Sequence, residues 1–258
     1  MKIRNQIEYC VSGKYALFSD PIARMGGEKF SYMLPTYQAL KGITESIYWK
    51  PSIIWVVDEV RVMRPIRTES KNIRPISYVA PKNTLSVYTY LEEVCYQVRV
   101  HFIFNENRRE DLEQDFNENK HHNIAKRMVE KGGRRDIFLG TRECQGYVEP
   151  CVFGDGEGYY DHYGELEFGL MFHGFDYPDE TGRDRLAARF WRPKMADGVV
   201  RFLPPEEIPE DMKRDIRPMK AKKFGEALNN FSGLSEEVLQ QEFAREGGEE
   251  NGVDAEIM

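Results

Sequence analysis

The segment NENKHHNIAKRM, residues 117–128, sets a lysine and two histidines side by side in a chain with five histidines in all. As the start of a helix it offers an ammonium at Lys120 and an imidazole at His121, beside backbone N–H groups that favour an anion. With a phenol from Tyr48, these groups suit acid–base cleavage of RNA. The 2′-hydroxyl is the nucleophile, one group takes its proton, another protonates the leaving 5′-oxygen, and a cation stabilises the crowded phosphorane. Histidine fits because its ordinary pKa of about 6.5 keeps both protonation states available near neutrality. Consecutive helical side chains diverge by about 100°, so one of His121 and His122 is a bystander. A plainer reading stands beside this one: a histidine at a helix start often caps or packs, and Tyr48 next to Trp49 is ordinary core material.

The order of elements is what brings Tyr48 to Lys120. Residues 4–12 read as a strand, followed by a Gly- and Pro-punctuated loop. After Pro35, which a first helical turn tolerates, Tyr37, Leu40, Ile43, Thr44 and Ile47 recur at helical spacing. That helix should stop near Trp49, because Pro51 disfavours helical geometry at Lys50. The β-branched run SIIWVVDEVRVM reads as a central strand. Val94, Tyr96, Val98, Val100, Phe102 and Phe104 alternate along another, with one face buried. A second helix is predicted over 120–131, with Ile124, Ala125 and Met128 inward and Gly132-Gly133 as its stop. RECQGYVEPCVF supplies a last strand. The order β-α-β-β-α-β is the split βαβ pattern of ferredoxin-like and RNA-recognition folds, in the α+β class. In that topology the helices lie antiparallel on one face of the sheet, so the end of the first meets the start of the second. Tyr48, Lys120 and His121 converge.

Bases cluster in two runs. Residues 61–82 carry six against one acid, and residues 120–142 seven against two. Arg61, Arg64, Arg67, Lys71 and Arg74 suit phosphate contacts on a basic arm over 61–92, which Pro65, Pro75 and Pro81 break into loops or a hairpin. Tyr78, Tyr88 and Tyr90 are available there to stack on bases. Lys126, Arg127, Arg134 and Arg135 are the RNA-binding candidates of the second run. Gly132-Gly133-Arg134-Arg135 offers free N–H groups and guanidinium forks to a phosphate. A solvated hairpin and an ordinary helix stop are the alternatives.

The formal charge of -7 is concentrated in residues 225–258, which hold nine acids and one base, leaving 35 bases against 34 acids elsewhere. Local charge decides what each surface attracts. We expect residues 1–154 to form the RNA-binding and catalytic domain and 155–224 a small antiparallel β region. Residues 225–258 read as a disordered acidic tail with one short helix from Ser235. No apolar run approaches the ~20 residues a membrane span needs, and the first residues lack a continuous apolar leader core, so the expected location is cytoplasmic. Cys10, Cys95, Cys144 and Cys151 match no zinc spacing. His101, His162 and His173 show no ligand spacing, and Asp155, Glu157 and Asp161 read as turn chemistry. No metal and no cofactor is expected.

The stretches GEKFSYMLPTYQALKGITESIYWKP, DEVRVMRPI, ESKNIRPI, GGRRDIFLGTRECQGYVEPC and HGFDYPDETG resemble the Cas-five proteins of CRISPR systems, RAMP-superfamily members, in the Dvulg variant of type I-C. The resemblance implies a ferredoxin-like, RRM-like domain with an additional C-terminal sheet. It also implies a metal-independent endoribonuclease that cuts CRISPR precursor RNA in the repeat, leaving a 2′,3′-cyclic phosphate and a 5′-hydroxyl. Such a protein keeps the 5′ handle of the crRNA and joins the Cascade antiviral surveillance complex with its backbone and large subunits. It meets target DNA only indirectly and no membrane. The family's catalytic tyrosine, lysine and histidine fall on Tyr48 in SIYWKP and on Lys120 and His121 in NENKHH. The competing reading is a handle-binding assembly subunit with no active site. Basic runs serve both, so the trio discriminates.

Overall fold

The computed structural model describes residues 5–20, 28–74 and 85–221. Tyr78 and the acidic segment 225–258, with its expected helix from Ser235, lie outside them. In chain order the elements are β1 (Gln6–Ala16), the two-residue β2 (Lys29–Phe30), α1 (Tyr37–Ile47), β3 (Ile53–Val62), β4 (Thr68–Ile73) and β5 (Ser86–Phe104). A one-turn α2 (Arg109–Leu112), flanked by 3-10 turns, leads to α3 (Glu118–Glu130), β6 (Ile137–Phe138) and β7 (Gln145–Pro150). Then come β8 (Glu165–Glu167), β9 (Met171–Asp176), α4 (Pro178–Thr181), β10 (Arg185–Trp191), β11 (Lys194–Ala196), β12 (Val199–Arg201) and β13 (Lys213–Pro218).

The centre of the large sheet runs β7-β1-β5-β3, every neighbour antiparallel. With α1 between β1 and β3 and α3 between β5 and β7, this is the ferredoxin-like arrangement expected from the element order. β4 pairs with β5 from Thr68↔Leu91 to Ile73↔Ser86, which builds the hairpin arm. The C-terminal strands divide. β12 pairs with β3 and carries β11 and β8, extending the large sheet, while β13-β10-β9 form a separate antiparallel sheet. Met1–Ala221 constitute one compact unit.

The core lies between the large sheet and the helices. Tyr9 and Val11 from β1, Trp55, Val57 and Val60 from β3, and Val98, Val100 and Phe102 from β5 are fully or almost fully buried there. Each such side chain contributes roughly 1.5–3 kcal/mol by leaving water. Helix α1 buries Tyr37, Leu40, Ile43, Thr44 and Ile47, the spacing read from the sequence. Its N-cap is Thr36, whose hydroxyl accepts from the Ala39 N–H at 3.1 Å, so Pro35 precedes the cap and is not in the first turn. Helix α3 begins two residues before the predicted position, because the Asn117 side chain accepts from the Lys120 N–H at 3.0 Å. Its deeply buried stripe is His121, Ala125 and Val129; Ile124 and Met128 are only partly covered. The stripe opens on a histidine, which an apolar pattern passes over.

Candidate active site

Tyr48 is the first extended residue after α1, with φ of -154°, and its N–H still bonds the Thr44 carbonyl at 2.9 Å. The Trp55 indole N–H donates to the Tyr48 carbonyl at 2.7 Å, which anchors that backbone to β3. His121 stands in the first turn of α3. The phenol oxygen of Tyr48 and Nδ1 of His121 are 2.8 Å apart. On the far side of the ring, Nε2 lies 2.6 Å from the backbone carbonyl of Asp115. A carbonyl can only accept, so Nε2 carries the hydrogen, and in the neutral ring Nδ1 accepts from the phenol. Burial, with the Asp115 charge adding to it and Arg134 opposing, pushes the Tyr48 pKa up to about 12. The phenol therefore keeps its proton at neutral pH and is the donor.

Aromatic rings fix the imidazole. Phe102 and Phe104 meet it edge-on at centroid distances of 5.9 and 6.1 Å, and Phe116 stacks on Phe104 at 4.7 Å. His121 has no solvent exposure and Tyr48 only 4%. The neighbouring His122 turns the other way, its Nε2 3.1 Å from the Gln6 carbonyl on β1. Of the two adjacent histidines, His121 is the one that meets Tyr48.

Lys120 is half-exposed, and its ammonium contacts Asp115 Oδ1 at 2.5 Å. Asp115 Oδ2 accepts from the Ser52 hydroxyl at 2.5 Å and lies 3.7 Å from His121 Nε2. Burial acts to raise the Asp115 carboxyl, but bonds from Lys120 and Ser52 and the neighbouring positive charge outweigh it and hold it below the usual carboxylate range. Asp115 thus ties Lys120 and His121 together, and sequence reasoning missed it. Its only signal was its place two residues before the helix cap Asn117, inside an acid-rich connection.

The basic candidates separate. Arg61 is buried, and its guanidinium bonds Asp161 at 2.6 Å, the Gly156 carbonyl at 2.9 Å, and Gln97 and the Asp155 carbonyl at 3.2 Å each. Its assignment to phosphate is corrected here: it clamps the 155–161 turn onto the sheet and has no face left for RNA. Arg64 pairs with Glu93 at 2.9 Å on the surface, while Arg67 and Arg74 are exposed. Lys71 sits 3.4 Å from the Tyr15 ring centroid, and Lys29 sits 4.6 Å from that of Tyr88. Tyr90 is buried under this group and does not offer a stacking face. Lys126 and Arg127 lie exposed on α3.

The Gly132-Gly133-Arg134-Arg135 loop does not supply free N–H groups. Gly132 and Gly133 bond the Val129 and Met128 carbonyls at 2.9 and 2.8 Å, in left-handed conformations with φ of 79° and 108° that favour glycine. The Arg134 and Arg135 N–H groups donate to Ser46 at the end of α1 at 3.2 Å. The loop closes both helix ends, and only the two exposed guanidiniums remain for a phosphate.

Sequence comparison settles the family. The family described as CRISPR-associated protein (Cas_Cas5) matches residues 7–203. The chain belongs to the Cas5 family. A relative in Mannheimia succiniciproducens, named CRISPR pre-crRNA endoribonuclease Cas5d, is 27% identical over 238 residues, covering 81% of this Cas5 chain and 99% of the relative. A relative of the same name in Thermus thermophilus is 29% identical, covering 71% of this chain and 78% of its own. A crystal structure described as a CRISPR-associated protein superposes with a TM-score of 0.68 at 36% identity, covering 81% of this chain and 96% of that one. A functionally uncharacterized protein from Streptococcus mutans, SMU1763c, superposes with a TM-score of 0.67 at 38% identity, with the same coverage. The ferredoxin-like core described above is therefore the RAMP-type fold that the resemblance implied. Among the described residues, no helix is long and apolar enough to cross a membrane.

Proposed function

We propose that this Cas5 chain is a metal-independent endoribonuclease that cleaves CRISPR precursor RNA within its repeat, leaving a 2′,3′-cyclic phosphate and a 5′-hydroxyl. The observation that carries the reading is the 2.8 Å hydrogen bond between Tyr48 and His121, the residue that follows Lys120 in α3. The names of the two pre-crRNA endoribonuclease relatives support the substrate class.

Tyr48 and His121 act as one proton carrier. As the 2′-oxygen attacks phosphorus, its proton passes to Tyr48 while the phenol proton moves to His121 Nδ1. The imidazolium so formed returns a proton through Tyr48 to the departing 5′-oxygen, and the pair ends as it began. Lys120 offsets charge on the phosphorane. Arg64, Arg67, Lys71, Arg74, Lys126, Arg127, Arg134 and Arg135 contact phosphates along the RNA. The protein then holds the crRNA 5′ handle as a subunit of a type I-C Cascade in the cytoplasm.

One observation favours the rival reading, a handle-binding subunit without chemistry: His121 is enclosed among aromatic rings, as a core residue would be. Single-turnover cleavage of the host repeat RNA separates the two. The enzyme reading expects His121→Ala to slow cleavage by roughly two to four orders of magnitude with RNA affinity retained. An unchanged rate removes His121 from the mechanism.

A further inference from the structure

Asp115 lies between Lys120 and His121. Lys120, the cation that offsets phosphorane charge in the proposed mechanism, already contacts an Asp115 carboxylate oxygen at 2.5 Å. The other oxygen takes the hydroxyl of the fully buried Ser52 at 2.5 Å and approaches His121 Nε2 at 3.7 Å. An ammonium, a buried hydroxyl and an imidazole edge thus surround one anion. A carboxylate and a phosphodiester both present two oxygens sharing a negative charge, so donors that hold one suit the other.

The same residue closes the site. The Asp115 backbone carbonyl covers His121 Nε2 at 2.6 Å, and the side chains of the Tyr48–His121 pair are out of solvent. Movement of the segment before α3 bares the Nε2 edge of His121. The segment is anchored at its start, where Arg108 in the first 3-10 turn is buried and bonds Asp179 at 2.5 Å. It is light beyond that point: α2 and the second 3-10 turn have no buried residue, and the end is pinned by Phe116 stacked between Phe104 and the Arg109 guanidinium. The Lys120–Asp115 pair is half in water, so it is worth at most about 1 kcal/mol.

We propose that Lys120, Ser52 and the edge of His121 form the seat of the scissile phosphodiester, and that Asp115 fills this seat in the RNA-free protein as an internal competitor that RNA displaces. The proposal deepens the endoribonuclease reading and rests on it. RNA binding and opening of the site become one event: the phosphate takes Lys120 from Asp115, and the departing residue uncovers the proton carrier.

The test measures affinity for repeat RNA with a 2′-deoxy sugar at the cleavage position, which binds but cannot be cut. Asp115→Asn keeps the shape and removes the charge, and it should bind this RNA about three- to five-fold tighter than wild type, the equivalent of losing a pair of about 1 kcal/mol. The gain should vanish when Lys120→Ala is also present, because the seat has then lost its cation. Asp115→Ala provides a second variant of the same sign, and thermal melting confirms that each remains folded. Equal or weaker binding by both Asp115 variants, or a gain that persists without Lys120, overturns the proposal and leaves Asp115 as a brace for the start of α3. Wild-type cutting of the unmodified RNA is scored separately. Its absence counts against the enzyme reading, while the Lys120-dependent gain still reports on the phosphate seat.

Discussion

Tyr48 and His121 are 73 residues apart in the chain, and in the fold the phenol donates to the imidazole at 2.8 Å. The bond exists because Tyr48 leaves α1 where α3 begins, and because the Asp115 carbonyl holds the opposite ring nitrogen in its protonated form. A tautomer fixed in this way leaves Nδ1 free of hydrogen and turned to the Tyr48 phenol, which can feed it a proton.

Replacing Tyr48 by phenylalanine keeps the ring and deletes the donor. Cleavage should fall by roughly two to four orders of magnitude while RNA affinity changes little. His121 Nδ1 is then a buried acceptor without a partner, so stability should also fall by about 1–3 kcal/mol. Single-turnover rates beside urea melts separate the two effects, and an unchanged rate removes the phenol from the chemistry.

Alkaline pH should unfold the protein through its tyrosines. Burial, first of all causes, pushes Tyr48 and Tyr90 each up to about 12 from the ordinary 10.0. Between these values the unfolded chain gives up protons that the folded one keeps. Stability is therefore complete below pH 10 and is lost as pH rises through 12. The urea midpoint should decline steadily above pH 10, less steeply for Tyr48→Phe; equal slopes would contradict the assignment.

On the acid side the group to watch is His173. It stacks on Tyr37 at 4.3 Å, and burial, then the Arg189 charge, push its pKa down from 6.5 to about 3. The unfolded chain takes up this proton below pH 6.5 and the folded one resists it, so stability falls as pH falls. The loss should reach about 2–3 kcal/mol by pH 4.5. His173→Gln should flatten that limb in urea melts recorded from pH 7 to 4.5, and an unaltered slope would rule His173 out as its source.

Arg61 and Arg134 should behave as different kinds of arginine. Arg61→Ala breaks a buried pair and should cost about 3–5 kcal/mol of stability. Per folded molecule, its salt dependence of RNA binding should match wild type. Arg134→Ala should leave stability almost unaltered and reduce the slope of log affinity against log salt by about 0.7–0.9. Melts and binding titrations at several salt concentrations check both.

The succession of elements was legible because local chemistry dictates it. Pro51 ends one helix, Gly132-Gly133 ends the other, and the alternation along 94–104 marks a half-buried strand. From that succession the meeting of Tyr48 with His121 follows by topology, while Lys120 is held by Asp115. Arg61 was misread because the groups that bury it, Gln97 and Asp161, lie 36 and 100 residues away, and no periodicity links them. The loop amides at Arg134 and Arg135 looked free for the same reason, since their acceptor at Ser46 belongs to another helix. Asp115 was passed over because an acid between two helices normally faces water, and nothing near it in the chain marks Ser52 as its partner.

The most direct measurement is incubation of the purified protein with its own host's CRISPR repeat RNA in excess chelator, for wild type and His121→Ala, with both product ends mapped. The account predicts a single cut by wild type alone, leaving a 2′,3′-cyclic phosphate and a 5′-hydroxyl. Tight binding with no cut by either protein would contradict it, and Tyr48 and His121 would then be a hydrogen-bonded pair in the core of a handle-binding subunit.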